Sequence, residues 1–167
     1  ARRAGFADSA AVSSERLRET VSPDDLERAA EILAGADTIY LLGLRRAFPI
    51  AAYLAYALGK LGMRAVLVDH VAALGPEQSA GMRPGDALVA VSFTPYTPTT
   101  VDLAQRAAAA GVPVVAITDS PFSPLRPCAA VQFDVAEADF SAFRSLSATF
   151  CLAMALAVAA AARREQG

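Results

Sequence analysis

The densest cluster of chemically useful side chains is SFTPYTPTT, residues 92–100. It carries six hydroxyls (Ser92, Thr94, Tyr96, Thr97, Thr99 and Thr100) in nine positions, with Pro95 and Pro98 among them. Hydroxyls are neutral donors that can complete an oxygen shell around an anion such as phosphate. The run follows an apolar segment of strand length, and Thr97 as N-cap with Pro98 as first helical residue would open a helix there. A helix N-terminus carries partial positive charge and exposed amides that favour an anion. Each proline removes one amide donor, which shifts the work to side chains. The plainer reading, with Thr97 capping and the other hydroxyls facing water, stays open.

A second candidate is GLRRAFPIA, residues 43–51, where Arg45 and Arg46 stand just before a helical pattern. It is no dinucleotide fingerprint, because only Gly43 is present. Positive charge before a helix N-terminus is disfavoured unless an anion compensates. A phosphate would supply one in bidentate geometry, and a salt bridge to one of the 17 Asp and Glu residues, within the chain or across a dimer, is the alternative. In ITDSPFSPL, residues 117–125, Asp119, Ser120 and Ser123 are placed to meet sugar hydroxyls or to cap a short turn. Asp86, in RPGD, reads as a turn residue. Acid–base chemistry is thin: the one His is His70, and Glu77 and Glu137 have no paired carboxylate at a recognisable spacing.

Composition narrows the classes further. A single Lys, Lys60, excludes a P-loop lysine, since it lies outside any such motif. Cys128 and Cys151 have no C-x-x-C spacing, which suits a reducing cytoplasm and gives no zinc site. No cofactor and no metal are expected. A net charge of −2 gives no basic footprint for binding nucleic acid through the bulk field. The chain starts at Ala1 with no signal-peptide pattern, and reads as a piece of a longer protein.

The elements that must position these residues alternate regularly. Strands are expected at 38–43, 64–69, 86–92, 113–119 and 130–135. Helices are expected from Ser22 as N-cap, then at 48–62, 76–82, 98–111 and 141–164. Residues 1–21 are polar and read as a linker, an arm or a frayed helix, and 22–167 as one domain. The strands are apolar without alternation, as in a parallel sheet covered on both faces. The expected fold is α/β, a five-stranded doubly wound parallel sheet that binds ligands beyond its C-terminal strand ends. Tyr53 and Tyr56 are expected in the core. The uncharged run 145–162 reads as a buried or interface helix rather than a membrane span.

In this order the loops resemble those of the SIS (sugar isomerase) domain, and within it the ligand-sensing half of RpiR-type transcriptional regulators. The resemblance covers about residues 22–164. It rests on TIYLLG and its loop, on VSFTPYT, on VVAITDSPFSPL and on the final helix after FRS. The family usually shows Gly-x-Gly-x-Ser after the first strand and Ser-x-Ser-Gly-x-Thr after the third. The second pattern survives as Ser92, Thr94 and Thr97, with Pro95 in place of Gly. The first keeps Gly43 but has Arg45 for the second Gly and Ala47 for the Ser.

The resemblance implies a flavodoxin-like strand order 2-1-3-4-5 and a small-molecule sugar phosphate as partner. The residues expected to bind it are Gly43, Arg45, Arg46, Ser92, Thr94, Tyr96, Thr97 and Asp119. It also implies a cytoplasmic homodimer or higher homo-oligomer packed through helices. DNA would be bound only through a helix-turn-helix domain ahead of the 1–21 linker. The expected function is therefore a non-catalytic effector domain. The alternative is an aldose–ketose phosphosugar isomerase, for which His70, Glu77 or Glu137 must serve as base. A phosphoacceptor receiver fails on residues, because Arg45, Arg46 and Ser92 occupy the places of its acidic groups.

Overall fold

The computed structural model describes residues 2–167. Five parallel strands form one sheet: β1 (Ile39–Gly43), β2 (Ala65–Val68), β3 (Ala87–Val91), β4 (Val114–Thr118) and β5 (Val131–Asp134), in the order β2-β1-β3-β4-β5. β1, β3 and β4 are buried along their whole length. That is why their sequences are unbroken apolar runs. Alternate residues feed two cores. Ile39 and Leu41 face one side with Val89, Ile117 and Phe133, and Tyr40 and Leu42 face the other with Leu88, Ala90 and Ala116.

The first core is covered by α2 (Pro23–Ala34), α3 (Phe48–Lys60) and α6 (Ser147–Gln166), and the second by α4 (Gly75–Ser79) and α5 (Pro98–Ala109). α2 starts where Ser22 signals it: the hydroxyl accepts from Asp25 N at 3.0 Å. Gly62 and Gly111 close their connections at φ of +75° and +84°, a region that favours glycine. Asp86 is a turn residue, as expected, and does more: only 4% exposed, its carboxylate accepts from Thr38 N (3.1 Å) and Arg83 N (3.0 Å). It thereby ties the starts of β1 and β3 together.

Three expectations change. Residues 2–20 form a continuous helix, α1 (Arg2–Thr20), lying on α6. Its buried Ser13 accepts from Ala138 N at 2.8 Å, and Phe6 meets Phe140 edge-on at 4.8 Å. The last helix starts at Ser147 and not at 141, because 139–144 form a hairpin of β6 (Asp139–Phe140) and β7 (Phe143–Arg144). Ser141 and Ala142 turn it with φ of 50° and 66°, which no α-helix tolerates. Tyr56 is 62% exposed rather than core, whereas Tyr53 packs edge-on against Phe150 at 5.6 Å. Among the described residues α6 is the one helix long and apolar enough to cross a membrane, and its inner face is buried against the domain.

Candidate functional site

β1, β3 and β4 end side by side, with Gly43 opposite Val91 and Val91 opposite Ile117. The loops after them leave one edge of the sheet and bound a groove. One lobe, of about 460 Å³, is lined by Leu44, Arg45, Arg46, Ala47, Ser92, Phe93, Thr94, Pro95 and Thr97. The next, of about 320 Å³, is lined by Arg46, Phe93, Thr94, Asp119, Val135, Ala136, Glu137, Asp139 and Arg144. Arg46, Phe93 and Thr94 are common to both. Another cavity, of about 230 Å³ between α4 and α5, has apolar walls and no convergent polar groups beyond Ser79 and Arg106.

Arg46 dominates the groove. It lies in a single 3₁₀ turn, residues 45–47, and its guanidinium stacks 4.4 Å over the ring of Phe93. Nη1 and Nη2 are buried and reach no acceptor among the described residues. Burial pulls its pKa below the ordinary arginine value and the Arg144 charge adds to this, while the Asp119 and Glu137 carboxylates oppose it. An arginine keeps its proton through such shifts. A buried, unpaired, charged donor set of fixed planar geometry suits an anion with two or more oxygens. Neither Arg45 nor Arg46 has a salt-bridge partner among the described residues, so no ion pair within the chain occupies them. Arg45 is exposed, with φ of 55°.

The hydroxyl run is less uniform than its sequence. Ser92, buried to 3% exposure, accepts from Thr97 N at 3.3 Å and keeps its own O–H to donate. Thr97 stands at the N-cap position of α5 but its side chain makes no capping bond. Pro98 brings no N–H, and Thr100 N is turned back onto Thr97 O at 3.0 Å. The helix end thus offers fewer free amides than expected, and the cation comes from the neighbouring loop. Thr100 is fully buried and Thr99 exposed; neither lines the groove.

Asp119 is a hub. It accepts from Thr94 N (2.9 Å), Thr94 Oγ1 (3.4 Å), Tyr96 OH (2.9 Å) and Arg144 Nη1 (3.2 Å). Tyr96 is absent from the lining and braces Asp119 instead. Gly43 lies outside the lining too: a Cβ there would stand 2.8 Å from Ala47 O, so glycine lets the 45–47 turn fold back on the strand. Ser120 and Ser123 accept from Phe122 N and Leu125 N, the turn-capping role. His70 and Glu77 lie outside both lobes. Among the polar and aromatic lining residues, sequence reasoning missed Phe93, Asp139 and Arg144, and it named Glu137 only as a possible base. Phe93 is masked as an apolar member of a polar run, and Asp139 and Arg144 belong to a hairpin that carries no sequence signal.

A doubly wound parallel sheet with a cationic, hydroxyl-rimmed groove at its switch point is an α/β architecture whose strand ends are the usual place for a ligand. A family model for the SIS domain matches residues 32–159, and the chain belongs to that family. No curated protein matches the sequence. Among solved structures, the sugar isomerase domain of an RpiR transcription factor from Sphaerobacter thermophilus is 25% identical, over 94% of this chain and 88% of that one, with a TM-score of 0.87. The Vibrio vulnificus NanR protein, complexed with ManNAc-6P, shares 24% identity with a TM-score of 0.75. The match covers 96% of this chain and 61% of NanR. A putative sugar-phosphate isomerase from Listeria monocytogenes shares 19% identity over 95% and 84% of the two chains, with a TM-score of 0.74. Those two show the shared fold.

Proposed function

We propose that this chain is the phosphosugar-binding effector domain of an RpiR-type transcriptional regulator, binding its ligand without turning it over. The observation that carries the reading is the guanidinium of Arg46, buried at the strand ends and unpaired among the described residues. It takes the phosphate, helped by Ser92, Thr94, Thr97 and Arg45. Gly43, Tyr96 and Asp119 act from behind, shaping the loops that carry these groups. The regulator side is supported by likeness to the RpiR domain and to the NanR structure with bound ManNAc-6P. It is supported too by the separation of His70 and Glu77 from the groove. Glu137 then has no second free acid–base group beside it, since Asp119 and Asp139 are both engaged by Arg144.

In this reading residues 1–21 link the domain to a DNA-binding helix-turn-helix module, and the protein works in the cytoplasm. A homodimer is supported by the outer face of α6, where Met154 (46%) and Val158 (60%) are exposed. The test is a thermal-shift screen with sugar phosphates and their unphosphorylated parents. Ligand at ~100 Kd adds ~2.7 kcal/mol of stability. A phosphosugar response that is lost in Arg46→Ala supports the reading. A response unchanged in both Arg46→Ala and Thr97→Ala removes this site. Turnover of the ligand, abolished in Glu137→Gln, moves the chain to the isomerases.

A further inference from the structure

Glu137 presents two carboxylate oxygens with different surroundings. Oε1 accepts from Thr149 N (2.8 Å) and Thr149 Oγ1 (2.9 Å), anchoring the first turn of α6 to the loop after β5. Oε2 is buried and has no partner among the described residues. Glu137 and Arg46 line the same 320 Å³ lobe, yet they form no salt bridge with one another. An ionised carboxylate only accepts, and a guanidinium only donates. The lobe therefore holds an unused acceptor and unused donors, both desolvated and both charged.

A bare phosphate or diphosphate satisfies Arg46 and is repelled by Glu137. A molecule that is anionic at one end and bears O–H or N–H groups a few bonds away satisfies both. Asp119 does not compete for this role, since both its oxygens already accept from Thr94, Tyr96 and Arg144. From this we infer that Glu137 is the specificity-determining residue of the groove: its free oxygen accepts from a hydroxyl or amino group on the sugar part of the ligand while Arg46 holds the anion. The inference rests on the phosphosugar reading above and narrows it to ligands with a donor facing the loop after β5. Phosphate alone and donor-poor phosphate esters are turned away by the same carboxylate.

The experiment is calorimetric titration of the wild-type chain and two variants, Glu137→Gln and Thr149→Val. Inorganic phosphate and phenyl phosphate serve as probes without sugar hydroxyl or amino groups beside a panel of hexose, pentose and amino-sugar phosphates. Gln keeps a carbonyl oxygen for Thr149 but replaces a charged acceptor with a neutral amide. A hydrogen bond to a charged group is worth enough to shift binding about 10- to 100-fold. Glu137→Gln is expected to weaken the best sugar phosphate by that factor. It should leave inorganic phosphate as tight or tighter, because a nearby negative charge is gone. Thr149→Val disturbs only the anchoring of α6 and is expected to preserve the preference for sugar phosphate.

Equal weakening of phosphate and sugar phosphate in Glu137→Gln, or no change in either, overturns the inference and leaves the phosphosugar reading standing. Loss of preference in Thr149→Val as well assigns Glu137 to the anchoring of α6 alone, which also overturns it. Absence of any sugar-phosphate binding by the wild type removes the underlying reading along with it. Comparing hydroxyl with amino sugars then identifies which donor Glu137 accepts.

Discussion

Arg46→Met separates the binding role of Arg46 from any structural one. The substitution keeps a long apolar stem against Phe93 and removes the guanidinium stacked 4.4 Å above that ring. Two opposing effects decide the sign. Leaving buried donors without acceptors costs about 1–3 kcal/mol, and Nη1 and Nη2 are both in that position. The stack that is lost contributes about 0.5–2 kcal/mol, part of which a thioether against the ring restores. The free protein should therefore gain about 1 kcal/mol, or roughly 2–4 °C in Tm for a chain of this size. Differential scanning calorimetry reads the gain directly, and the same samples with a stabilising sugar phosphate should lose most of the ligand-induced shift. A variant that is destabilised by about 1 kcal/mol or more and still responds to ligand refutes the reasoning. Arg46 would then be a structural residue.

Other expectations concern the frame that holds the groove. Asp86→Ala strips the acceptors from Thr38 N and Arg83 N and should cost about 2–4 kcal/mol in urea denaturation, with Asp86→Asn recovering part of it. An unaltered midpoint would show that water replaces the carboxylate without loss. Gly43→Ala puts a Cβ 2.8 Å from Ala47 O and should cost about 1–3 kcal/mol while weakening anion binding, since the 45–47 turn must shift. The Asp69 carboxyl is held below the ordinary aspartate value, first by the Gln78 amide (2.7 Å) and then by Val71 N–H (2.9 Å). A depressed folded pKa contributes stability above the unfolded value of about 3.9 and loses it as pH falls through the folded one. In a carboxyl-carbon NMR titration, Gln78→Ala should return Asp69 toward its ordinary value. No movement would deny the contact.

The fold was legible because its signals are local and mutually consistent. TIYLLG, DALVAVS and PVVAITD are apolar on both faces, which only a covered parallel strand requires, and Gly or Pro punctuates each return. The hairpin at 139–144 was not legible, because Ser141 and Ala142 are poor residues for positive φ and carry no turn signature. α1 looked like a loose arm because its partners, α6 and the residues of 138–140, lie more than a hundred positions away in the sequence. At the site, residue types gave the two loops but not the division of labour. Thr97 looks like a cap by position, yet its hydroxyl makes no capping bond: Thr100 N closes onto Thr97 O, and Ser92 accepts from the Thr97 amide. Asp119 looks like a ligand group until Thr94, Tyr96 and Arg144 occupy its oxygens. Glu137 is visible in sequence only as a lone carboxylate, and its free oxygen depends on Thr149 taking the other.

The most direct test of the account is a crystal structure of the chain soaked with the sugar phosphate that gives the largest thermal shift. The phosphorus is expected beside the guanidinium of Arg46, between the 45–47 turn and the loop of residues 92–97, with the sugar directed toward Glu137. A phosphate bound elsewhere, or a ligand in the apolar cavity between α4 and α5 with Arg46 untouched, would contradict it.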